Sequence, residues 1–190
     1  NELRKRNGVK LKTLSKNEIL DLEPSLAPIF YNGQIFTGSR YTTNPSMISK
    51  RIFESFINSG GSFIQYEVEG IISEDTLITL KYNNGEHKYE KVIVCAGSWS
   101  NDLSKKFGDN FPLDTERGYH VMFDNHGLIN RPIGWSQSGF YLVQLEEGLR
   151  AAGTVEIAGL SKPKNKKRTK MIENQARKLL PNLNSVKSTW

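Results

Sequence analysis

The sequence predicts an α+β protein, and three observations predict it. An apolar stripe at helical spacing follows Asn44, three strands succeed one another at meander spacing between residues 62 and 95, and a second group of strand-like segments between 115 and 157 leads into another amphipathic helix. With 190 residues, 37% of them hydrophobic and 10% aromatic, the chain can bury a core, as one large domain or two small ones. No apolar run approaches the roughly 20 residues that a membrane-spanning helix needs.

Taken in order, Ser15 and Glu18 stand three apart before Ile19, Leu20 and Leu22, the pattern of a capping box opening a short helix that Pro24 ends. Residues 29–43 mix apolar residues with Gly, Thr and Ser and read as short strands or loops. Asn44 suits an N-cap and Pro45 the first helical position, where its missing N–H is harmless. Ile48, Ile52, Phe53, Phe56 and Ile57 then make one stripe, stopped by Gly60-Gly61. Ser62 to Ser73 reads as a strand bent near Gly70. Thr76 to Tyr82 alternates, and Asn83-Asn84-Gly85 is a hairpin turn in which Gly85 and Asn84 suit positive φ. The third strand ends in Val92-Ile93-Val94-Cys95, a continuous apolar run of the kind buried on both faces. After Ala96-Gly97-Ser98-Trp99-Ser100 comes a short helical pattern from Asn101 to Phe107. Strands lie near 115–123, 140–145 and 149–157, with Gly148 in the turn before the last, and a helix runs from about Thr169 to Leu180 before Pro181.

Cys95 is the only cysteine, which excludes an internal disulfide and fits a reducing compartment. The three histidines do not fall at metal-ligand spacing, so no metal site is expected. A cytoplasmic location, with room for peripheral membrane association, is the expectation. The net charge of +6 is concentrated: Lys162 to Lys170 holds six basic residues and no acidic one, and without it 20 basic residues face 20 acidic ones. A nucleic-acid-binding face spreads its cations over a folded surface, so this segment reads as a solvated connector and no nucleic-acid partner is expected. The alternative is a non-catalytic module that binds an anionic partner through the basic loop at 162–170.

No nucleophile elbow, Walker loop, EF-hand or paired-carboxylate signature is present, and GxGxxG is absent. Small residues after the apolar run, at Ala96-Gly97-Ser98, allow close backbone approach by a ligand, although such a turn also serves as plain connection. Tyr141, in Gly139-Phe140-Tyr141-Leu142-Val143-Gln144, can donate a hydrogen bond to a carboxylate while its ring packs, or it can be an ordinary core tyrosine. His120 faces a pocket or finds an ordinary partner on its strand.

The order of these pieces carries more than any one of them. Val92 to Ser100, Pro112 through Arg117-Gly118, Phe140 to Val143, Gly148-Leu149-Arg150-Ala151-Ala152-Gly153-Thr154-Val155-Glu156, Ala176 to Pro181 and a final Trp190 form a series that resembles the FAD-dependent amine oxidoreductases of the D-amino-acid dehydrogenase, glycine oxidase and sarcosine oxidase group. The resemblance runs from about Glu23 to Trp190. It implies a substrate-binding domain of residues 1–43 and 109–190, a mostly antiparallel sheet with flanking helices. It also implies that residues 44–108 are part of an FAD-binding α/β domain, contributing its β-meander and a helix. By position, Val68 would contact the adenine, Ala96, Gly97 and Trp99 would lie beside the FAD, Tyr141 would hydrogen-bond the carboxylate of an amino-acid or amine substrate, and Val155 would shape the pocket near its side chain. No residue of this chain is implied as catalytic, since the chemistry is the flavin's.

The departures are specific. The pyrophosphate-binding GxGxxG and the arginine that clamps the substrate carboxylate are both missing, and Gln144 stands where relatives often carry proline. The chain therefore reads as an interior slice of an enzyme, inactive and without flavin by itself. The edge at Val92–Cys95 is expected to be exposed or covered by a second copy.

Overall fold

Ile172, Ala176 and Leu179 recur at helical spacing and are all fully buried, which places one face of a helix on a core. That helix and its sheet belong to a computed structural model describing residues 2–190. The chain divides into two units, one built from residues up to Lys50 with 118–155 and 163–190, the other from 51–117 with 156–162.

In the first unit, α1 (Glu2–Arg6) leads to a two-stranded antiparallel sheet of β1 (Leu11–Ser15) and β2 (Asn32–Phe36), with α2 (Lys16–Leu22) between them. The capping box forms as the sequence predicts. Ser15 Oγ accepts from the Glu18 N–H at 3.4 Å, while Glu18 accepts from the Ser15 N–H at 2.9 Å and from Lys12 at 2.8 Å. The Lys12 ammonium first, then the Ser15 N–H and hydroxyl, hold the Glu18 carboxyl down at about 2. Its folded value lies below its unfolded value, so this contribution is complete above pH 4.5 and is lost as pH falls toward 2. A Glu18 side-chain carboxyl signal titrating near 4.5 by NMR would contradict the geometry, and Ser15→Ala is expected to cost about 1 kcal/mol in chemical denaturation.

The main sheet is five-stranded in the order β10 (Val186–Thr189), β6 (Glu116–Phe123), β9 (Gly148–Ile157), β8 (Phe140–Leu145), β7 (Ile133–Trp135). The pairs β10/β6, β9/β8 and β8/β7 are antiparallel. Alternation puts Tyr119, Val121 and Phe123 on one face together with Phe140, Leu142 and Leu149, all at most 2% exposed, and α5 (Lys166–Leu179) packs onto them. Gly148 opens β9 because a Cβ there would run into the carbonyl oxygen of Phe123.

In the second unit β3 (Val68–Glu74), β4 (Leu77–Tyr82) and β5 (Gly85–Tyr89) form the expected antiparallel meander. Gly85 takes positive φ in the tight turn and Asn84 does not. A single turn of 3₁₀ helix at Gly97–Trp99 continues into α4 (Ser100–Ser104) and a further 3₁₀ turn to Phe107. The long helix α3 (Pro45–Asn58) is capped as predicted, the Asn44 side chain accepting from the Met47 N–H at 2.9 Å.

Three expectations need correction. Residues 62–67 do not join the sheet; Tyr66 instead stacks its ring on Tyr82 at 4.1 Å and Phe63 sets its edge against Phe53. The apolar run Val92–Cys95 is neither a strand nor buried, with Ile93 87% exposed. A strand buried on both faces needs ladder partners on both edges, and no strand of the described residues pairs with this run. The stripe on α3 forms at the expected spacing and is exposed, Ile52 by 66%. Finally, the basic segment is not one loop: the Asn165 side chain accepts from the Lys167 N–H and starts α5 at Lys166. Within that segment Lys162 pairs with Glu156, Lys170 with Glu173, and Arg168 donates to the Val155 carbonyl, so half of its cations are engaged by the fold.

Candidate functional site

Because Phe140 and Leu142 face the core, Tyr141 between them must face the opposite side of the sheet, where it is 64% exposed. Its cross-strand partners are Gly134 on β7 and Ala152 on β9. The missing side chain of Gly134 is what lets the ring lie down: a Cβ there would stand 2.6 Å from Tyr141 Cε1. Small neighbours on both sides thus leave the hydroxyl accessible. On the same face, Val143 pairs with Arg150, and His120 of β6 stacks on Trp190 with ring centroids 5.8 Å apart. The ladder bonds between His120 and Trp190, 2.8 and 3.0 Å, hold the two in register.

Val155 lies further along β9, past Thr154, whose φ of 57° interrupts the alternation. Before the break the odd-numbered Leu149 and Ala151 are buried; after it Glu156 is buried and Val155 is exposed. The left-handed residue therefore turns Val155 away from the core.

In the second unit, a groove of about 670 Å3 brings together Val68 from β3 with Ala96 and Trp99 from the turn before α4. Ile71 and Leu80, cross-strand partners in the meander, supply its apolar floor with Leu103. Lys106 closes one end by donating to the Glu69 carbonyl at 2.5 Å. Gly97 does not line the groove; it takes a φ of 54° with open space where a Cβ would be. Sequence reading singles out none of Ile71, Leu80, Leu103 and Lys106, although alternation in the two strands marks Ile71 and Leu80 as sharing a face.

Comparison with known proteins decides the family. The family model described as FAD dependent oxidoreductase matches residues 1–190. This chain belongs to that FAD-dependent oxidoreductase family. It is 32% identical over 183 residues to a D-amino-acid oxidase of Bradyrhizobium diazoefficiens, an alignment covering 95% of this chain and 44% of the relative. A D-amino acid dehydrogenase of Paramagnetospirillum magneticum is 25% identical over 93% of this chain and 43% of its own length. Among solved structures, glycine oxidase from Bacillus cereus superposes with a TM-score of 0.84 at 21% identity, over all of this chain and 53% of that one. L-α-Glycerophosphate oxidase from Mycoplasma pneumoniae, solved with FAD bound, gives 0.78 at 22% identity over 94% and 51%. The fold of mixed helices and open antiparallel sheets is thus that of FAD-dependent oxidases. The chain spans about half the length of the relatives it matches.

The residues present fit part of what FAD requires. The groove of the second unit has an apolar floor and a tryptophan at its edge, suited to flat rings, and Glu67, Glu69 and Asp102 at its rim can accept hydrogen bonds from sugar hydroxyls. Those carboxylates are unsuited to phosphate, and the sequence holds no GxGxxG. No helix of the described residues is long and apolar enough to cross a membrane.

Proposed function

We propose that these residues are the interior part of a longer enzyme that oxidises the Cα–N bond of a D-amino acid or related amine to an imine, which water hydrolyses to a keto acid and ammonia or an amine. In this reading residues 1–43 and 109–190 hold the substrate and residues 44–108 hold part of the cofactor. The observation that carries it is the groove on which Val68, Ala96 and Trp99 converge from separate stretches of a chain whose whole length matches the family.

FAD, when bound, supplies the hydride acceptor. What the protein adds is position. Tyr141 donates its hydroxyl hydrogen to the substrate carboxylate, and its exposure above Gly134 supports that role. Val155, turned outward by Thr154, shapes the pocket on the side of Tyr141 away from Arg150. Val68, Ala96 and Trp99, which line the groove, would hold the cofactor, and Gly97 would shape the turn between Ala96 and Trp99 beside it. The 190 residues alone lack a phosphate cradle and the carboxylate-clamping arginine, so they are expected to purify colourless, inactive and self-associated through the exposed apolar run 92–95.

The full-length protein tests the reading. It is expected to be yellow and to lose its flavin absorbance when a D-amino acid is added without oxygen. Tyr141→Phe is expected to raise KM about 10-fold, the worth of one hydrogen bond to a charged group, with kcat changed less. A colourless full-length protein, or a KM that Tyr141→Phe leaves alone, would refute the assignment.

A further inference from the structure

The arginines of the first unit are treated very differently by the fold. Arg131 pairs with Glu23 at 2.9 Å and also donates to the Leu22 carbonyl. Arg177 pairs with Glu173 and donates to the carbonyls of Leu183 and Asn184. Arg168 donates to Val155 O. Arg150 differs from Arg131 and Arg177: it is half-buried, its Nε is shielded from solvent without a hydrogen-bond partner, and none of the described residues supplies it with a carboxylate. A guanidinium in such a place is costly unless an anion meets it.

Its position names where that anion would come from. Val143 is its cross-strand partner and Tyr141 its diagonal neighbour on the same face, a relation that sets residues roughly 7–8 Å apart. His120 stands on this face too, its Nδ1 buried and unpartnered. Burial first, then the charges of Arg150 and Lys164, hold the His120 imidazole below its ordinary range. Its unpartnered Nδ1 adds a hydrogen-bonding group on the same face as the positive charge of Arg150.

We propose that Arg150, assisted by His120, receives a second carboxylate of the substrate, making the enzyme selective for amino acids with an acidic side chain. The proposal rests on the functional reading above, with Tyr141 holding the α-carboxylate while the side-chain carboxylate reaches the Arg150 fork. A neutral substrate would leave that fork without an anion, which is the source of the discrimination.

The test compares kcat/KM for D-aspartate and D-glutamate with that for D-alanine and D-asparagine in the full-length enzyme, alongside competitive inhibition by succinate and by butyrate. Acidic substrates and succinate are expected to be preferred. Arg150→Gln is expected to shrink both preferences at least 10-fold, about the worth of one charge-assisted hydrogen bond. Arg150→Lys should keep part of them. Equal rates on acidic and neutral substrates, or a preference that Arg150→Gln leaves intact, overturns the role of Arg150 and leaves the oxidoreductase reading standing. If no amino acid is oxidised but calorimetry finds succinate binding that Arg150→Gln abolishes, the anion site stands and the oxidoreductase reading falls. Absence of both overturns both.

Discussion

Phe123→Ala is expected to destabilise the first unit by about 4 kcal/mol, the usual cost of truncating a fully buried aromatic. The ring has no exposed surface and lies in the layer between the five-stranded sheet and α5. The Arg177 guanidinium sits 5.4 Å from its centroid and is itself tied to Glu173, Leu183 and Asn184. Removing the ring opens a cavity and also takes away the surface on which Arg177 rests. The same layer has little freedom to collapse, since Gly148 already packs directly on the Phe123 carbonyl. Phe123→Leu, which refills most of the volume, should cost about 1.5 kcal/mol or less. Urea denaturation followed by circular dichroism measures both, and a loss below 1 kcal/mol for the alanine variant would show that this core is wrongly described.

Glu23→Ala is expected to cost about 3 kcal/mol, the lower end for breaking one side of a buried ion pair. Its side chain is only 6% exposed; it accepts from the Asn130 N–H and from Arg131, each at 2.9 Å. Truncation leaves the Asn130 N–H without its acceptor and Arg131 with only the Leu22 carbonyl, and it loosens the 125–131 connection at the end of α2. Arg131 keeps some access to water, being 42% exposed, which is why the lower end applies. A double-mutant cycle with Arg131→Ala should return a coupling of about 1–2 kcal/mol. Additive costs would mean that the two side chains stabilise the fold independently.

The two buried features differ in how far they can be read from the sequence. The helices at 16–22 and 45–58 were legible because a Ser15–Glu18 capping box and an Asn44-Pro45 start act within one helical turn. The strands 116–123, 140–145 and 148–157 were legible because alternation shows which side is apolar. The short strands at 133–135 and 186–189 carry too few residues for alternation to stand out. Glu23 gives no signal at all: beside Pro24 it resembles an ordinary charged helix end, and only the fold brings Arg131 and Asn130 to it.

The candidate site divides the same way. Tyr141 is recognisable because Phe140 and Leu142 flank it, and its exposure follows from strand geometry. The gathering of Val68, Ala96 and Trp99 on one groove is not recognisable from spacing, because a groove is made by elements distant in sequence. Arg150 is invisible for a related reason. A lone arginine on a strand looks like any other until the counter-ions of its neighbours have been identified and its own is found wanting.

What the chain determines by itself is therefore local: where helices begin and stop, which face of each strand is apolar, and which backbone sites must be glycine. Those follow from hydrogen bonds and steric limits spanning a few residues. Tertiary structure alone decides that 62–67 and 92–95 stay out of a sheet despite strong strand character, and that Arg131 meets a carboxylate while Arg150 does not. Ladder partners and counter-ions are supplied by segments far along the chain, and their free energy is realised only once those segments meet.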